Sequence, residues 1–387
     1  MMNSLKSRYD HRDTKKTSGK LSDALAVRGL LIGIFFLLAA RVYATSDPLD
    51  SSRVVQLLGL RLHHGFVLIH SRELVPVRRS NPTGVELDFA WHKTSEKAWE
   101  SCHCYPKTGF ALTFWDYDQP DILGYGASGM FYLEPVFAAW HPVGFSVRAG
   151  IGLAYQTKPY DALSNPLNQS YSTYWAFALQ LGGSAHIRLH PRWLLDVTAV
   201  YNHTSNGGFQ EPNKGINWPT ASLGLGYYLT APTFRNRIRK NWREEKSSET
   251  RFDLTVYLAF EEPVSKTYLL SPGIEAKASQ QVSRLSALTL GAEWIYANGI
   301  RYEIEQNGRT ESPQQLGLAL GHEFLLGQFV FSQQFGVYAY RPFRVRDDLY
   351  QRYSLMYRYS RHLSFGGGLR AHRHVADFFD LRIAVSL

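Results

Sequence analysis

The stretch FSVRAGIGLAY, residues 145–155, alternates apolar side chains with small or polar ones and decides the fold class. The side chains at its odd positions are all apolar: Phe145, Val147, Ala149, Ile151, Leu153 and Tyr155. A period of two is that of a β-strand, in which successive side chains point to opposite faces. The apolar face is long enough for a tilted strand to cross the hydrocarbon core of a membrane, whereas strands of soluble sandwiches are shorter. The stretch therefore predicts a transmembrane strand.

The same alternation recurs in segments 175–188, 252–261 and 381–387. In each segment, small, polar or charged residues take the face opposite to the apolar one, as a polar barrel lumen requires. We therefore predict an all-β protein, a closed antiparallel transmembrane β-barrel of about 12–16 strands, with an even strand number. The side chains expected on its lipid face include Val147, Ile151, Leu179, Val197, Leu223, Val256 and Val385.

The composition agrees with a membrane barrel and argues against a helical membrane protein. Mean hydropathy is -0.25, which is too low for a bundle of apolar helices. Yet 14% of the residues are aromatic, with 23 Tyr, 22 Phe and 9 Trp. Aromatic girdles at the two membrane interfaces would use these rings. Part of the net charge of +9 lies before residue 45, and the remaining excess is too small to predict a nucleic-acid partner.

The N-terminus has the order of a secretory signal peptide. A basic segment precedes the apolar run GLLIGIFFLLAA at 29–40, and VYA at 42–44 resembles a cleavage site. The run is too short to span a bilayer as a helix, which takes about 20 apolar residues. We expect a signal peptide at 1–44, a short periplasmic stretch at 45–57 and one barrel domain at 58–387.

Cys102 and Cys104 are the two cysteines of the chain, and they flank His103. A Cys-His-Cys set offers three ligands, whereas a structural zinc site usually has four. A disulfide across a single residue would be strained. The preferred interpretation is a turn that carries two thiols, or a local redox pair.

The stretch YNHTSNGGFQEPNKGIN, residues 201–217, contains the residue types that perform acyl transfer. Alternation places His203 and Ser205 on the outer, apolar face near the end of a strand. Asn217 has the parity of the outward residues of the next strand, so we expect it beside His203. In such an arrangement the His takes the Ser proton, the Ser attacks an ester, and the third group fixes the imidazole.

A nucleophile on the outer face is suited to a lipid substrate that approaches sideways from the bilayer. The alternative is that these polar side chains lie at the membrane interface, where they cost little. His-x-Ser alone is a weak motif, so spacing by itself favours the interface interpretation.

The segment HTSNGG at 203–208, followed by Pro212-Asn213, Gly215 and Asn217, resembles the active-site segment of the PagL-type lipid A 3-O-deacylases. These enzymes form the acyloxyacyl hydrolase family. The resemblance implies an outer-membrane barrel that removes an ester-linked 3-hydroxyacyl chain from lipid A of lipopolysaccharide.

The resemblance also implies roles for individual residues. His203 would be the base, Ser205 the nucleophile, and Asn206 and Gly208 the oxyanion hole. This Ser-His mechanism needs no metal or other cofactor. The family pattern has Glu where this chain has Asn217. An amide oxygen still accepts from an imidazole N–H but adds no negative charge to stabilise the imidazolium, so we expect weaker turnover.

A function of a different class stays open: a non-catalytic barrel, either a small channel or a structural or surface-binding protein. A lumen filled by side chains would argue against a channel. An outward contact between His203 and Ser205 would argue for catalysis.

Two weaker candidate sites lie elsewhere in the chain. His372, His374 and Asp377 offer metal ligands, although a solvated turn is the preferred interpretation. Asp116 and Asp118 form a possible carboxylate pair in a segment that resembles a loop.

Overall fold

The computed structural model describes residues 54–207, 210–237, 250–261, 269–344, 347–373 and 375–387. In these residues, sixteen strands form two closed antiparallel barrels of eight strands each. A 3-10 helix (Arg72–Val77) and two α-helices, α1 (Glu96–Cys102) and α2 (Asn298–Gln306), lie in the connections. None of the helices in the described ranges has the length and apolarity needed to cross a membrane.

The first barrel comprises β1 to β8. Its strands are β1 (Val54–Gly65), β2 (Thr83–Lys93), β3 (Tyr105–Asp116), β4 (Tyr125–Phe137), β5 (Val143–Gln156), β6 (Trp175–His190), β7 (Trp193–Ser205) and β8 (Ile216–Tyr228). Each strand pairs with the next along the chain, and β1 pairs with β8 to close the barrel, with Leu60 opposite Leu225.

The second barrel comprises β9 to β16 in the same up-and-down order. Its strands are β9 (Thr250–Glu261), β10 (Leu269–Ser283), β11 (Ser286–Tyr296), β12 (Gln314–Leu326), β13 (Phe329–Tyr340), β14 (Leu349–Arg358), β15 (Leu363–His372) and β16 (Val375–Ser386). It closes through β9 and β16, with Val256 opposite Ile383.

The predicted fold class, an all-β protein with a closed antiparallel barrel, is confirmed, and the described residues contain sixteen strands, eight in each of two barrels. The expectation of one barrel over 58–387 needs correction, because the strands close into two barrels and β1 already begins at Val54. Alternation reports which face a side chain takes, but closure depends on pairing between strands far apart in the chain. The predicted signal peptide, 1–44, lies outside the described residues.

The side chains predicted on the lipid face are all on the outside of the barrels. Each of the seven is at least 43% exposed: Val147, Ile151, Leu179, Val197, Leu223, Val256 and Val385. Their outward, apolar surface is what is expected of strands that face hydrocarbon.

Charged side chains fill the lumen of the first barrel. Arg61 and Arg148 both contact Glu86 and Asp88, at distances of 2.5–3.0 Å. All four side chains are almost completely buried. Charges removed from water are tolerated when they are paired and hydrogen-bonded, and this network meets that condition.

The second lumen is filled in the same way. Arg352 pairs with Asp380 at 2.6 Å, and Arg382 pairs with Glu275 at 2.8 Å. A cavity of about 20 Å³ beside these groups has room for about one water molecule. The two lumens, as far as the described residues define them, are therefore packed with side chains, and this argues against a channel.

Cys102 and Cys104 are joined in a disulfide at the end of α1. His103, between them, has a left-handed backbone that ends the helix. Of the two interpretations, a turn that carries two thiols is wrong because the turn brings the two sulfur atoms together, whereas a local redox pair agrees with the disulfide.

Candidate active site

Strand pairing brings His203 and Asn217 together. β7 and β8 are adjacent and antiparallel, and their register puts His203 directly opposite Asn217. The register runs without a bulge from Trp193 to Thr204, so the alternation that was read from the sequence holds to the end of β7. A slip of one residue would have moved this pair into the lumen.

The three side chains form a hydrogen-bonded chain. His203 Nε2 lies 3.0 Å from Ser205 Oγ, and His203 Nδ1 lies 2.6 Å from Asn217 Oδ1. Asn217 is buried, whereas His203 and Ser205 are half-buried, so the nucleophile end of the chain is accessible. A Ser-His pair whose imidazole is held by a third group is the arrangement that performs acyl transfer.

A glycine beside the dyad permits the close approach of the β7–β8 loop. Gly215 has a φ of +69°, in the left-handed region that favours glycine. A Cβ at this position would lie 2.9 Å from His203 Cε1 and 3.4 Å from Ser205 Cβ. The glycine of the motif therefore leaves room for the imidazole and keeps the loop against it.

The loop between β7 and β8 is fastened at both ends. Asn213 Oδ1 accepts from the backbone N–H of Asn206 at 3.0 Å. The backbone N–H groups of Lys214 and Gly215 donate to the β5–β6 loop at Gln169 and Ser170. These contacts explain why Asn213 belongs to the motif: its side chain holds the turn that follows the nucleophile.

The neighbouring β5–β6 loop is itself anchored by Tyr171. Its hydroxyl donates to the carbonyl of Leu123 at 2.8 Å, and the ring is completely buried. Burial raises the pKa of Tyr171, so the hydroxyl keeps the proton that it donates.

Of the two residues predicted for the oxyanion hole, Gly208 lies outside the described residues. Asn206 is buried, and its side-chain amide donates to the carbonyl of Gln210 at 2.7 Å and to Ser172 Oγ at 3.2 Å. Asn206 directly follows the predicted nucleophile, but its amide is already hydrogen-bonded to the surrounding loops. Both roles stay predictions.

Exposed apolar side chains flank the three polar residues of the site. Phe177 lies opposite Ser205, and Leu179 lies opposite His203, in the β6–β7 register. On the other flank, Phe66 and Leu68 follow β1, and all four apolar side chains are at least 40% exposed. Apolar surface thus borders His203 and Ser205 on the β6 side and Asn217 on the β1 side, which suits a substrate with acyl chains.

One residue at this site was missed by the sequence reasoning. His70 Nδ1 lies 3.0 Å from Asn217 Nδ2, and His70 Nε2 lies 2.9 Å from the carbonyl of Lys214. His70 and Asn217 are 147 positions apart in the sequence, so a local motif could not reveal their contact. The only signal was parity, because Phe66, Leu68 and His70 continue the alternation of β1 with exposed side chains.

Among the described residues, Asp116, Asp118 and His372 of the weaker candidates make structural contacts. The carboxylate of Asp116 accepts from the backbone N–H of Asp118, which forms a tight turn. His372 Nε2 lies 3.0 Å from the Tyr338 hydroxyl, while His374 lies outside the described residues. Within the ranges that the structure describes, no group of three or more His, Cys, Asp or Glu side chains is placed to hold a metal.

Two family models match the sequence, one within the first barrel and one over the second. The model described as lipid A 3-O-deacylase (PagL) matches residues 83–226, from the first residue of β2 into β8. The model described as acyloxyacyl hydrolase, C-terminal domain, matches residues 250–387, the whole second barrel. Together the two matches cover more than half of the chain. No curated protein sequence matches it.

Similarity to solved structures is low. The outer membrane enzyme PagL aligns with 16% identity and a TM-score of 0.33, over 43% of this chain and 97% of that chain. A variant of the Rh. blastica porin aligns with 9% identity and a TM-score of 0.20, over 86% and 100%. The Acinetobacter baumannii outer membrane protein Omp33 aligns with 7% identity and a TM-score of 0.17, over 87% and 98%. At these TM-scores the alignments carry no argument about function.

Proposed function

Since the chain belongs to the lipid A 3-O-deacylase (PagL) family, we propose that it is an outer-membrane esterase that removes an ester-linked 3-hydroxyacyl chain from lipid A of lipopolysaccharide. The observation that carries the proposal is the 3.0 Å contact between His203 Nε2 and Ser205 Oγ on the outer face of the barrel. A nucleophile in this position meets membrane lipids and not solutes in the lumen.

The first half of the proposed reaction forms an acyl-enzyme. His203 Nε2 takes the proton of Ser205 as the hydroxyl oxygen attacks the ester carbonyl, and a tetrahedral oxyanion forms. When the oxyanion collapses, the bond from the carbonyl carbon to the sugar oxygen breaks. His203 donates its proton to that oxygen, so lipid A leaves with a free hydroxyl and the 3-hydroxyacyl group stays on Ser205.

The second half releases the fatty acid. His203 takes a proton from water, and the resulting hydroxide attacks the acyl-enzyme carbonyl. The second tetrahedral intermediate collapses, Ser205 regains its proton from His203, and a 3-hydroxy fatty acid leaves. Only Ser205, His203 and water exchange atoms or protons with the substrate, so the sequence of steps needs no metal or other cofactor.

The oxyanion is proposed to be stabilised by Asn206 and Gly208. Because the Asn206 amide donates to Gln210 and Ser172, this role requires the substrate oxygen to replace one of those acceptors. Loss of a single oxyanion donor typically lowers kcat by roughly 10²–10³-fold. Asn206→Ala tests the assignment, and a loss of that size in a folded barrel is the expected result.

The position of the dyad suits an acyl substrate. Phe177 and Leu179 lie beside Ser205 and His203 on the outer face, and acyl chains that rest on them stay in an apolar environment.

The packed lumens favour an enzyme over a channel, because side chains and ion pairs occupy the space that a pore would need. The proposed location is accordingly the outer membrane, with strands of both barrels crossing it.

Fatty-acid release by the purified protein tests the proposed function. The wild type in detergent micelles is incubated with lipopolysaccharide, and free 3-hydroxy fatty acid is quantified. Ser205→Ala and His203→Asn should each abolish release, while both variants still migrate as folded barrels in unheated gel samples. Ser222→Ala, which changes a buried serine of β8, is the matched control and should leave the rate unchanged. Equal release by the wild type and Ser205→Ala would contradict the proposal.

A further inference from the structure

We propose that His70 is a positioning residue for this reaction: it fixes the orientation of the Asn217 amide and thereby selects the tautomer of His203 that activates Ser205. This inference rests on the proposed function. It explains how the chain can operate with an amide where the family pattern has a carboxylate.

A backbone carbonyl determines which atoms donate and which accept along the hydrogen-bonded chain. The carbonyl of Lys214 can only accept, and His70 Nε2 lies 2.9 Å from it. His70 Nε2 therefore carries a proton, and in the neutral imidazole Nδ1 is left as an acceptor. The carbonyl of Leu68 also approaches Nδ1 but at 3.4 Å, so the shorter contact with Lys214 decides the tautomer.

The acceptor on His70 then orients the Asn217 amide. His70 Nδ1 lies 3.0 Å from Asn217 Nδ2, which donates to it. The Asn217 oxygen must consequently face His203, whose Nδ1 donates to it across 2.6 Å. His203 Nε2 is left without a proton and can accept from the Ser205 hydroxyl, 3.0 Å away. One backbone carbonyl thus sets the direction of every bond up to the nucleophile.

The opposite amide orientation would stop the reaction. With its NH₂ group towards His203, Asn217 would donate to Nδ1, and the proton of His203 would move to Nε2. A protonated Nε2 cannot take the Ser205 proton, which is the failure produced by the wrong imidazole tautomer in Ser-His enzymes. A carboxylate at position 217 needs no such selection, because both of its oxygens accept.

The main chain on either side of His70 is firmly held. The backbone N–H of Leu68 donates to the carbonyl of Asn217 at 2.8 Å, so this segment extends β1 along β8. Val67 precedes His70, and Leu74 and Val77 follow it in the 3-10 helix; all three are buried in one apolar cluster. His70 is therefore presented to Asn217 by packed structure on both sides.

The test measures fatty-acid release by His70 variants in two backgrounds. His70→Ala in the wild type should lower kcat roughly tenfold with little change in KM, because a hydrogen bond of ordinary strength no longer favours one amide orientation. His70→Gln should retain most of the activity, since a carboxamide supplies one acceptor and one donor. In an Asn217→Asp background, His70→Ala should change kcat less than about twofold, because the isosteric carboxylate needs no orientation.

Controls separate positioning from folding and from the proposed function. His64→Ala removes another exposed histidine, one that lies within β1, and should leave kcat unchanged. All variants are checked for the folded barrel by gel mobility without heating.

Three outcomes would overturn the inference. If His70→Ala matches the wild type, positioning is refuted and the esterase stands. The same conclusion follows if His70→Ala lowers kcat equally in the wild type and in the Asn217→Asp background while His70→Gln fails to restore it. If the wild type itself releases no fatty acid, the esterase fails and the positioning role fails with it.

Discussion

The substitution Gly215→Ala tests the position of His203 by placing a methyl group against its imidazole. The added Cβ would lie 2.9 Å from His203 Cε1, closer than such atoms normally approach, so the imidazole must leave its present position beside Ser205. Displacements approaching 1 Å can cost roughly 10²-fold in rate, and a non-glycine residue in the left-handed region costs about 1–2 kcal/mol. We expect a loss of kcat near 10²-fold together with a destabilisation of about 1–2 kcal/mol from the same strain.

Two assays and a matched control make this prediction specific. Fatty-acid release from lipopolysaccharide in micelles gives kcat, and denaturant unfolding in the same micelles gives the change in stability. Gly308→Ala is the control, because Gly308 also has a left-handed backbone, with φ +64°, but a Cβ there would meet no atom within 4 Å. The control should lose similar stability and no activity. Wild-type turnover by folded Gly215→Ala would refute the proposed position of His203 in the reaction.

Three further predictions concern the third residue of the site, the lumen and the N-terminus. Asn217→Glu should keep or raise the rate of fatty-acid release, because a carboxylate stabilises the imidazolium of His203; loss of activity in the folded variant would contradict this. Arg148→Leu should destabilise the barrel by about 3–5 kcal/mol in denaturant unfolding, since it leaves the buried Glu86 short of positive charge, and a change near zero would count against the lumen network. N-terminal sequencing of the mature protein should find cleavage after Ala44 or within a few residues of it, and an uncleaved N-terminus would exclude the signal peptide.

The outward and inward faces of the strands were predictable because alternation is a local property. Each side chain's face follows from its parity and from the apolar character of its neighbours two positions away. Val147 and Val256 lie in different barrels, yet both take the outer face that their own segments predicted. The His203–Asn217 contact was predictable for the same reason, since consecutive strands joined by a short loop usually pair.

The division into two barrels could not be read from alternation. The division depends on β1 pairing with β8 instead of with the last strand. Leu60 and Leu225 lie opposite each other in that pairing, but both are ordinary outward residues, so the sequence does not indicate which strand pairs with which. In the sequence, segment 232–249 separates β8 from β9, but its composition, rich in Arg, Lys and Glu, does not distinguish a boundary between barrels from an ordinary polar loop. Which strands pair to close a barrel depends on the free energy of all the strand pairings together, and no single segment determines it.

His70 was missed for the same physical reason. Its contact with Asn217 exists only because the closing pair β1–β8 brings the two ends of the first barrel together. A motif search finds residues that are close in sequence, so it located His203, Ser205 and Asn217. The fourth member of the hydrogen-bonded chain comes from the opposite end of the barrel sequence, and only the three-dimensional structure brings it to the site.

Mass spectrometry of lipid A tests the central claim most directly. Lipid A is extracted from cells that produce either the wild type or Ser205→Ala at equal levels in the outer membrane. The wild type should yield lipid A that lacks the mass of one ester-linked 3-hydroxyacyl chain, and Ser205→Ala should leave lipid A intact. Intact lipid A in both strains, or the same loss in both, would contradict deacylation by the His203–Ser205 dyad.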